Sequence, residues 1–264
     1  MKDILEEIIA WKRKELEQQK YDLPAKELYA IVDRIMSNGI EQHSMHESLE
    51  ISPYGIIAEF KRKSPSKGWI KEEGRADVIP ASYAQNGASA ISILTDEKFF
   101  GGNLDFIKKS RPTVDIPILR KDFIIDEYQL FQARRIGADA VLLIAANLAV
   151  EQAKSLAYTA HQLGLEVLLE MHSVEELDYA ELDVDMLGIN NRNLGTFHTD
   201  VQNSFALADR LPKEKVHVSE SGISKPETIK QLRKAGFRGF LMGEHFMKAA
   251  NPGLALKEFI EELK

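Results

Sequence analysis

Lysines and carboxylates recur where apolar stretches of this chain end. The segment EFKRKSPSKG, Glu59 to Gly68, follows the apolar run GIIA, while LRKDF carries Lys121 and LLEMHS carries Glu170 at similar points. An ammonium can donate a proton and a carboxylate can accept one, and proteins tune such groups for acid–base catalysis by partly removing them from water. These residue types predict acid–base chemistry, provided that the fold brings the ends together.

Eight apolar runs rich in β-branched residues are candidates for the strands that would do so. Their near-continuous apolarity is typical of parallel strands covered on both faces. Eight strands alternating with helices indicate an α/β fold, a closed (β/α)8 TIM barrel. A doubly wound open sheet is the alternative, although it usually has fewer strands. The predicted strands are 55–62, 88–94, 117–123, 138–145, 165–171, 186–191, 216–221 and 237–243.

Signals for helices lie between these runs. Asp126 precedes EYQLFQARRIG, which ends at Gly137, and Pro226 stands near the first turn of KPETIKQLRKAG. Ser173, with Glu176 three residues later, has the pattern of a capping box, which predicts an α-helix after the fifth strand.

The first 50 residues do not share the strand–helix rhythm. Ile4, Ile8, Ile9 and Trp11 form an apolar face at helical spacing, which predicts an N-terminal helical extension that packs on the barrel. We expect one barrel domain over residues 1–264, with residues 1–50 as this extension.

Period-two alternation sorts the charges at the strand ends. Glu59, Lys61 and Lys63 share one face of the first strand, and Phe60 and Arg62 share the other. A charge at the last inward position of a barrel strand lies over the packed core, where it must be paired or functional. Each one alone is compatible with a structural ion pair, but their concentration favours a site. The further candidates at strand ends are Lys121, Glu170, Asn190, Arg192 and Glu220.

Glycines after the last two strands predict a phosphate site. Ser221 and Gly222 follow the seventh strand, and Gly243 and Glu244 follow the eighth. Glycine lets backbone N–H groups approach an anion, and barrel phosphate sites lie after strands seven and eight. Lys61 ends the first strand, beside the point where the barrel closes, and would add a positive charge.

Composition excludes several classes of function. A formal net charge of −7 argues against a nucleic-acid partner, because phosphate backbones favour basic surfaces. The chain has no cysteine, which excludes thiolate catalysis, and its seven histidines show no metal-ligand spacing, so we expect no metal. No apolar run approaches the roughly 18 residues that span a bilayer, and no signal peptide is present, so we expect a cytoplasmic protein without membrane contact.

Six motifs in register, from EFKRKSPSKG and LRKDF through LLEMHS and GINNRNL to SESGI and FLMGEHFM, resemble the indole-3-glycerol-phosphate synthase family over nearly the whole chain. The resemblance implies a carboxy-lyase of tryptophan biosynthesis that acts on 1-(2-carboxyphenylamino)-1-deoxyribulose 5-phosphate without a cofactor. It also implies Lys121 as the principal general acid and Glu170 as the general base. The other implied catalytic residues are Lys61, Glu59, Asn190 and Glu220. The implied substrate- and phosphate-binding residues are Lys61, Arg192, Ser221, Gly222, Gly243 and Glu244.

An anthranilate ring requires an apolar slot, for which the strand ends offer four candidates: Phe99, Phe123, Leu142 and Leu194. Two residues depart from the family pattern. His245 stands where a small polar residue is expected, and Trp69 stands where a smaller aliphatic residue is expected. The first puts one phosphate contact in doubt, and the second concerns loop packing.

Three alternatives remain at this point. Phosphoribosylanthranilate isomerase shares the phosphate site but typically uses a cysteine, which this chain lacks. A Schiff-base aldolase would use the strand-end lysines as nucleophiles. A non-catalytic barrel would bind a phosphorylated metabolite or dock on another enzyme, and loose association with other enzymes of tryptophan biosynthesis is compatible with the main prediction.

Overall fold

The computed structural model describes residues 4–39, 42–193 and 195–264, and at its centre is a closed barrel of eight parallel strands. Strands consecutive in the chain are neighbours around the barrel, and the first strand pairs with both the last and the second. Each strand lies within its predicted range, so the barrel prediction is confirmed. The barrel strands are β1 (Ile56–Phe60), β4 (Ala90–Leu94), β5 (Ile118–Lys121), β6 (Ala140–Ile144), β7 (Glu166–Met171), β8 (Met186–Asn190), β9 (Val216–Glu220) and β10 (Gly239–Met242).

Helices alternate with these strands, and several begin and end at the predicted signals. The Asp126 side chain accepts a hydrogen bond from the backbone N–H of Tyr128 at 2.9 Å, and Gly137 ends the same helix with a left-handed φ of 89°. Pro226 is the first residue of its helix. The helices after β1 are α4 (Ile79–Gln85), α5 (Glu97–Phe100), α6 (Asp105–Ser110), α7 (Glu127–Ile136), α8 (Val150–Gln162), α9 (Gln202–Ala208), α10 (Pro226–Lys234), α11 (Glu244–Met247) and α12 (Pro252–Leu263).

The capping-box prediction after β7 is wrong. Residues Val174–Glu181 form a 3-10 helix, and Ser173 makes no capping bond to it. The Glu176 carboxylate turns back instead and accepts a hydrogen bond from the backbone N–H of His172. Because Glu176 is engaged there, it cannot close a capping box with Ser173.

Helices α1 (Ile4–Asp22), α2 (Ala25–Ser37) and α3 (Met45–Ile51) form the predicted N-terminal extension. Leu5 and Ile8 of α1 pack with apolar residues at the C-terminal end of the barrel. Met45 and Leu49 of α3 belong to the same interior cluster, and Ser48 bonds to the Ser89 carbonyl just before β4, so α3 closes the opposite end.

The buried stripe of α1 differs in part from the predicted face. It consists of Leu5, Ile8, Lys12 and Leu16, whereas Trp11 is 40% exposed and lies under the Lys98 ammonium. A lysine replaces the expected aromatic residue in this stripe because α1 passes over two aspartates at the strand ends, with which Lys12 pairs.

Alternation along the strands separates two apolar layers. Ile57, Leu119 and Leu168 belong to the interior cluster, while Ala58 and Phe60 pack outward against the helices. The charged residue two positions beyond each interior residue therefore stands at the top of the barrel. This register places Glu59, Lys121 and Glu170 over the core. In the described ranges, no helix combines the length and apolarity that crossing a membrane requires.

Candidate active site

A cavity opens at the C-terminal ends of the barrel strands, and most of the predicted site residues line it. The N-terminal extension forms part of its wall, through Ile4, Leu5 and Ile8 of α1. The predicted residues that line it are Glu59, Lys61, Lys121, Phe123, Leu142, Glu170, Asn190, Arg192, Glu220, Ser221, Gly222, Gly243 and Glu244.

Lys121 lies at the centre of the charged part of this cavity. Its Nζ atom is 2.5 Å from Glu220 Oε2 and 3.2 Å from Glu170 Oε2, and both carboxylates are buried. Burial alone would lower the pKa of Lys121, but the carboxylates, Glu220 most strongly, outweigh it and raise that pKa above the ordinary value of a lysine. Lys121 is therefore an ammonium, able to donate a proton.

The two carboxylates differ in their surroundings. Burial would raise the pKa of Glu170, but Lys121 and then His172 outweigh it and hold that pKa well below the usual range. Burial raises the pKa of Glu220 to about 7, because Lys121 offsets it only in part and the negative charge of Glu170 adds to it. Two buried carboxylates on one lysine thus differ in proton affinity, which is the pattern of groups with separate acid and base roles.

A glycine makes room for the Glu220 carboxylate. Gly188 lies beside Glu170 in the sheet register, and a Cβ atom built on it would lie 2.5 Å from Glu220 Oε1. That oxygen has no hydrogen-bond partner among the described residues. Any larger residue at Gly188 would push the Glu220 carboxylate away from Lys121.

The first strand contributes a second ammonium–carboxylate pair. Lys61 Nζ bonds to Glu59 Oε1, and Glu59 is buried while Lys61 is partly exposed to the cavity. A Cβ atom on Gly243 would lie 2.4 Å from Glu59 Oε1, so this glycine also makes room for a carboxylate. On the opposite face, the Arg62 guanidinium lies 5.3 Å from the centroid of the Trp69 ring, outside the barrel mouth.

The loop after β1 reaches across the cavity. It forms a hairpin of β2 (Lys63–Ser64) and β3 (Gly68–Trp69), whose turn residue Ser66 accepts a hydrogen bond of 2.8 Å from Arg192. Asn190 accepts a bond from the Arg192 backbone N–H at 3.0 Å. Arg192 therefore joins the end of β8 to this loop across the cavity.

The end of β9 turns sharply next to the cavity. Ser221 has a left-handed φ of 67°, rare for a residue with a side chain, and Gly222 follows at 78°. The Asn191 amide holds this turn by donating to the Ser221 carbonyl and the Ser219 hydroxyl, each at 3.1 Å. Two consecutive left-handed residues turn their N–H groups away from the strand ladder, a geometry that suits anion binding.

His245 follows this glycine-rich wall and lines the cavity with Gly243 and Glu244. Its ring packs edge-on against Phe246 and Phe259, at 5.2 and 5.4 Å between centroids, and burial lowers its pKa. Where the family pattern predicts a small polar residue, this chain therefore has a neutral imidazole ring packed against two aromatic rings.

The apolar part of the cavity needs one correction. Phe99 does not line it; Phe100 does, and its ring lies 5.9 Å from that of Phe123. Asp96 accepts a bond from the Phe99 backbone N–H and caps the short helix α5, whose rotation of about 100° per residue turns Phe99 into the interior cluster and Phe100 to the cavity. Leu194 lies outside the described residues.

Besides Phe100, three further contributors to the site were missed from the sequence. His172 touches Glu170, Gly188 makes room for Glu220, and Leu5 completes the apolar wall. His172 stands two residues after Glu170, on the same side of the strand, so alternation carried past the end of β7 was a signal that could have identified it.

Comparison with known proteins agrees with this geometry. The model of a family described as indole-3-glycerol phosphate synthase matches residues 5–259. An indole-3-glycerol phosphate synthase from Bacteroides thetaiotaomicron is 60% identical over 264 residues, covering 100% of both chains, and one from Polaromonas naphthalenivorans is 42% identical over 269 residues, covering 99% of this chain and 100% of the other.

A solved structure of the tryptophan synthase complex from Pyrococcus furiosus matches with a TM-score of 0.58 and 17% identity, covering 79% of this chain and 97% of the other. At that identity it supports the barrel fold alone. The family match and the two relatives together show that the chain belongs to the indole-3-glycerol phosphate synthase family, the carboxy-lyases that form the indole ring in tryptophan biosynthesis.

Proposed function

We propose that the Lys121 cluster performs the chemistry of this enzyme on 1-(2-carboxyphenylamino)-1-deoxyribulose 5-phosphate. The observation that carries the proposal is one ammonium held between two unequal carboxylates, in a cavity with an apolar wall on one side and a glycine-rich wall on the other. The reaction needs an acid, a base, a slot for an aromatic ring and a place for phosphate.

Ring closure comes first. The carboxylated aromatic carbon attacks the C2 carbonyl carbon of the ribulose chain, and Lys121 donates a proton to the carbonyl oxygen as the new carbon–carbon bond forms. Carbon dioxide then leaves, and the electrons of its bond restore the aromatic ring. The raised pKa of Lys121 supports this role, because the lysine carries its proton before substrate binds.

Dehydration completes the indole. The hydroxyl formed from the carbonyl takes a proton from an acid and leaves as water. Glu170 takes a proton from the neighbouring CH2 carbon of the new five-membered ring, and the double bond forms between these two carbons. Lys61 is the second acid in this scheme, with Glu59 holding it in place. Each proton transfer contributes roughly 10²–10⁴-fold to the rate in enzymes generally.

Binding follows the two walls of the cavity. The anthranilate ring lies against Phe123, Phe100 and Leu142, beneath α1. The phosphate lies at the turn of Ser221 and Gly222 and at Gly243 and Glu244, with Lys61 supplying charge. Asn190 and Arg192 orient the chain between them. We also propose a cytoplasmic location and loose association with other enzymes of the pathway.

A Schiff-base mechanism is disfavoured by the same geometry. A nucleophilic lysine must lose its proton, which burial or a neighbouring cation favours. Lys121 has two carboxylates within 3.2 Å, and these raise its pKa. Borohydride in the presence of substrate should therefore trap no covalent adduct.

The test is formation of indole-3-glycerol phosphate by the purified chain, followed by the absorbance of the indole ring with EDTA present. We expect turnover with one carbon dioxide released per indole, and a loss of at least 10²-fold in Lys121→Ala. Turnover that is unaffected by Lys121→Ala would refute the proposed roles.

A further inference from the structure

We propose that His172 is a positioning residue for this reaction: it holds Glu170 ionised and aimed at Lys121, so that Glu220 is the carboxylate of the pair that binds a proton. This inference deepens the proposed function and rests on it for its catalytic meaning. Its structural content, the charge of one imidazole and its effect on one carboxylate, can be measured without substrate.

The His172 ring lies between two carboxylates. Its Nε2 atom is 3.2 Å from Glu170 Oε1, its Nδ1 atom is 3.5 Å from Glu176 Oε2, and its side chain is 13% exposed. The backbone of the same residue is fixed on both sides, since its N–H donates to Glu176 and its carbonyl accepts from Asn203 Nδ2 at 2.9 Å. The ring therefore sits at a defined place behind Glu170.

The charges around the ring favour the imidazolium. Strand β7 presents Glu170, the 3-10 helix presents Glu176, and α9 presents the uncharged Asn203, while Lys121 lies beyond Glu170. Burial would lower the pKa of His172, but the contacts to Glu170 and Glu176 outweigh it and raise that pKa to about 10. Neither ring nitrogen makes a hydrogen bond among the described residues, so both contacts are ion pairs, and only the imidazolium carries the charge that such pairs require.

The consequence is an asymmetry between the two active-site carboxylates. Glu170 has a cation on each oxygen, His172 on Oε1 and Lys121 on Oε2. Glu220 has Lys121 on Oε2, and its Oε1 has no hydrogen-bond partner among the described residues. Two neighbouring buried carboxylates do not both ionise readily, and the one with the extra cation keeps the negative charge. His172 thereby fixes which of them is the base.

The first test is the protonation state of the imidazole. Nitrogen NMR of the full chain, labelled at histidine, should show both ring nitrogens of His172 protonated at pH 8, with loss of the proton only near pH 10. Glu176→Gln removes one of the two carboxylates and should lower that titration by about one pH unit or more. A His172 that titrates near pH 6.5, or that is unmoved by Glu176→Gln, would overturn the proposal.

The second test is the pH dependence of turnover. His172→Asn removes the cation from Glu170, so the acid limb of kcat/KM should move to higher pH by about one unit, and activity should recover in part as pH rises. His172→Lys keeps a cation there and should bring the limb back toward its original position. A purely structural role would lower activity at every pH without moving the limb, which would contradict the proposal.

His161→Asn is a matched control, because His161 also pairs with an aspartate, Asp185 at 2.9 Å, but on α8 away from the cavity. It should leave the acid limb unchanged. If His172→Asn fails to fold, the imidazole titration in the wild-type and Glu176→Gln chains still decides the question. That titration needs no substrate, so failure of the proposed reaction and failure of this proposal give different results.

Discussion

Two lysines in this protein are each held by two or more carboxylates, and they differ in what they face. Lys121 lies between Glu170 and Glu220 in the cavity. Lys12 of α1 lies 2.6 Å from Glu15, 3.0 Å from Asp96 and 2.9 Å from Asp122, with a side chain 2% exposed. Lys121 and Asp122 are adjacent in the chain. Because successive side chains of a strand point to opposite faces, Lys121 belongs to the cluster in the cavity and Asp122 to the cluster around Lys12.

The surroundings of the two clusters explain their different uses. Asp122 accepts further bonds from Arg120 at 2.9 Å and Thr95 at 2.7 Å, so its charge is fully compensated. Burial would raise the pKa of Asp122, but Lys12 and Arg120 outweigh it and lower that pKa. The Lys121 cluster, by contrast, lines the cavity through Lys121, Glu170 and Glu220, whereas Lys12 and Asp96 do not line it. We call the Lys12 cluster the sealed cluster because its lysine does not line the cavity; it holds α1 in place, whereas the Lys121 cluster is open to substrate.

The largest effect is expected from Glu170→Gln, which removes the proposed base and keeps the shape. The value of kcat should fall by roughly 10²–10⁴-fold, because a positioned proton transfer is lost, while the melting temperature changes little. Steady-state kinetics and thermal denaturation of the same preparation measure both. Glu175→Gln, at an exposed position of the following 3-10 helix, is the control and should keep wild-type kcat. Equal losses in the two variants would contradict the assigned role.

Lys12→Met should act mainly on stability. It leaves Asp96 and Asp122 buried without their shared cation, and removing one partner of a buried pair costs about 3–5 kcal/mol. Urea unfolding measures the change in free energy. Lys14→Met, exposed on the same helix, should cost little. A Lys12→Met chain as stable as Lys14→Met would show that the sealed cluster does not fasten α1.

Gly188→Ala should damage the site without touching a charged group. The new Cβ would lie 2.5 Å from Glu220 Oε1 and displace that carboxylate from Lys121. Misplacement of a catalytic group by about 1 Å can cost on the order of 10²-fold, so we expect a loss of that size in kcat. Gly195→Ala is the control, since the new Cβ would lie 3.5 Å from Asn193 Oδ1, its nearest neighbour among the described residues. Wild-type kcat in Gly188→Ala would mean that the position of Glu220 is unimportant.

The pH dependence of the unfolding free energy of Asp122→Asn tests the stabilising role of the cluster around Lys12. The pKa of Asp122 is lowered in the folded chain, so its contribution to stability is present above its ordinary pKa of about 4. That contribution is lost as pH falls through the lowered folded value. The difference in unfolding free energy between wild type and Asp122→Asn should therefore be constant from about pH 5 to 8 and shrink below about pH 4. A difference that grows on acidification would have the wrong sign.

The smallest effect is expected from Trp69→Leu. The ring lies under Arg62 on the outer side of the hairpin, at an exposed position where a cation–π contact contributes about 0.5–1 kcal/mol. We expect a stability loss of that size, with kcat close to wild type. A large change in kcat would place this loop in the chemistry rather than in packing.

The fold and most of the site could be predicted because both follow from alternation along parallel strands. Glu59, Lys121 and Glu170 each stand two residues beyond an interior apolar position, so the register that buries the core also places them in the cavity. Phe99 was mispredicted because the chain turns into a helix after Asp96, where strand alternation no longer applies. Gly188 and Lys12 were missed because their importance depends on atoms distant in sequence: a carboxylate on β9 and aspartates at the ends of β4 and β5.

The most direct test of the central claim compares kcat/KM of Lys121→Met with wild type and measures the unfolding free energy of both chains in the same samples. If Lys121 is the acid of ring closure, formation of indole-3-glycerol phosphate should fall by at least 10²-fold, while the chain loses less stability than Lys12→Met. Turnover within a few-fold of wild type, or a loss of activity fully explained by unfolding, would contradict the claim that the lysine open to the cavity performs the chemistry.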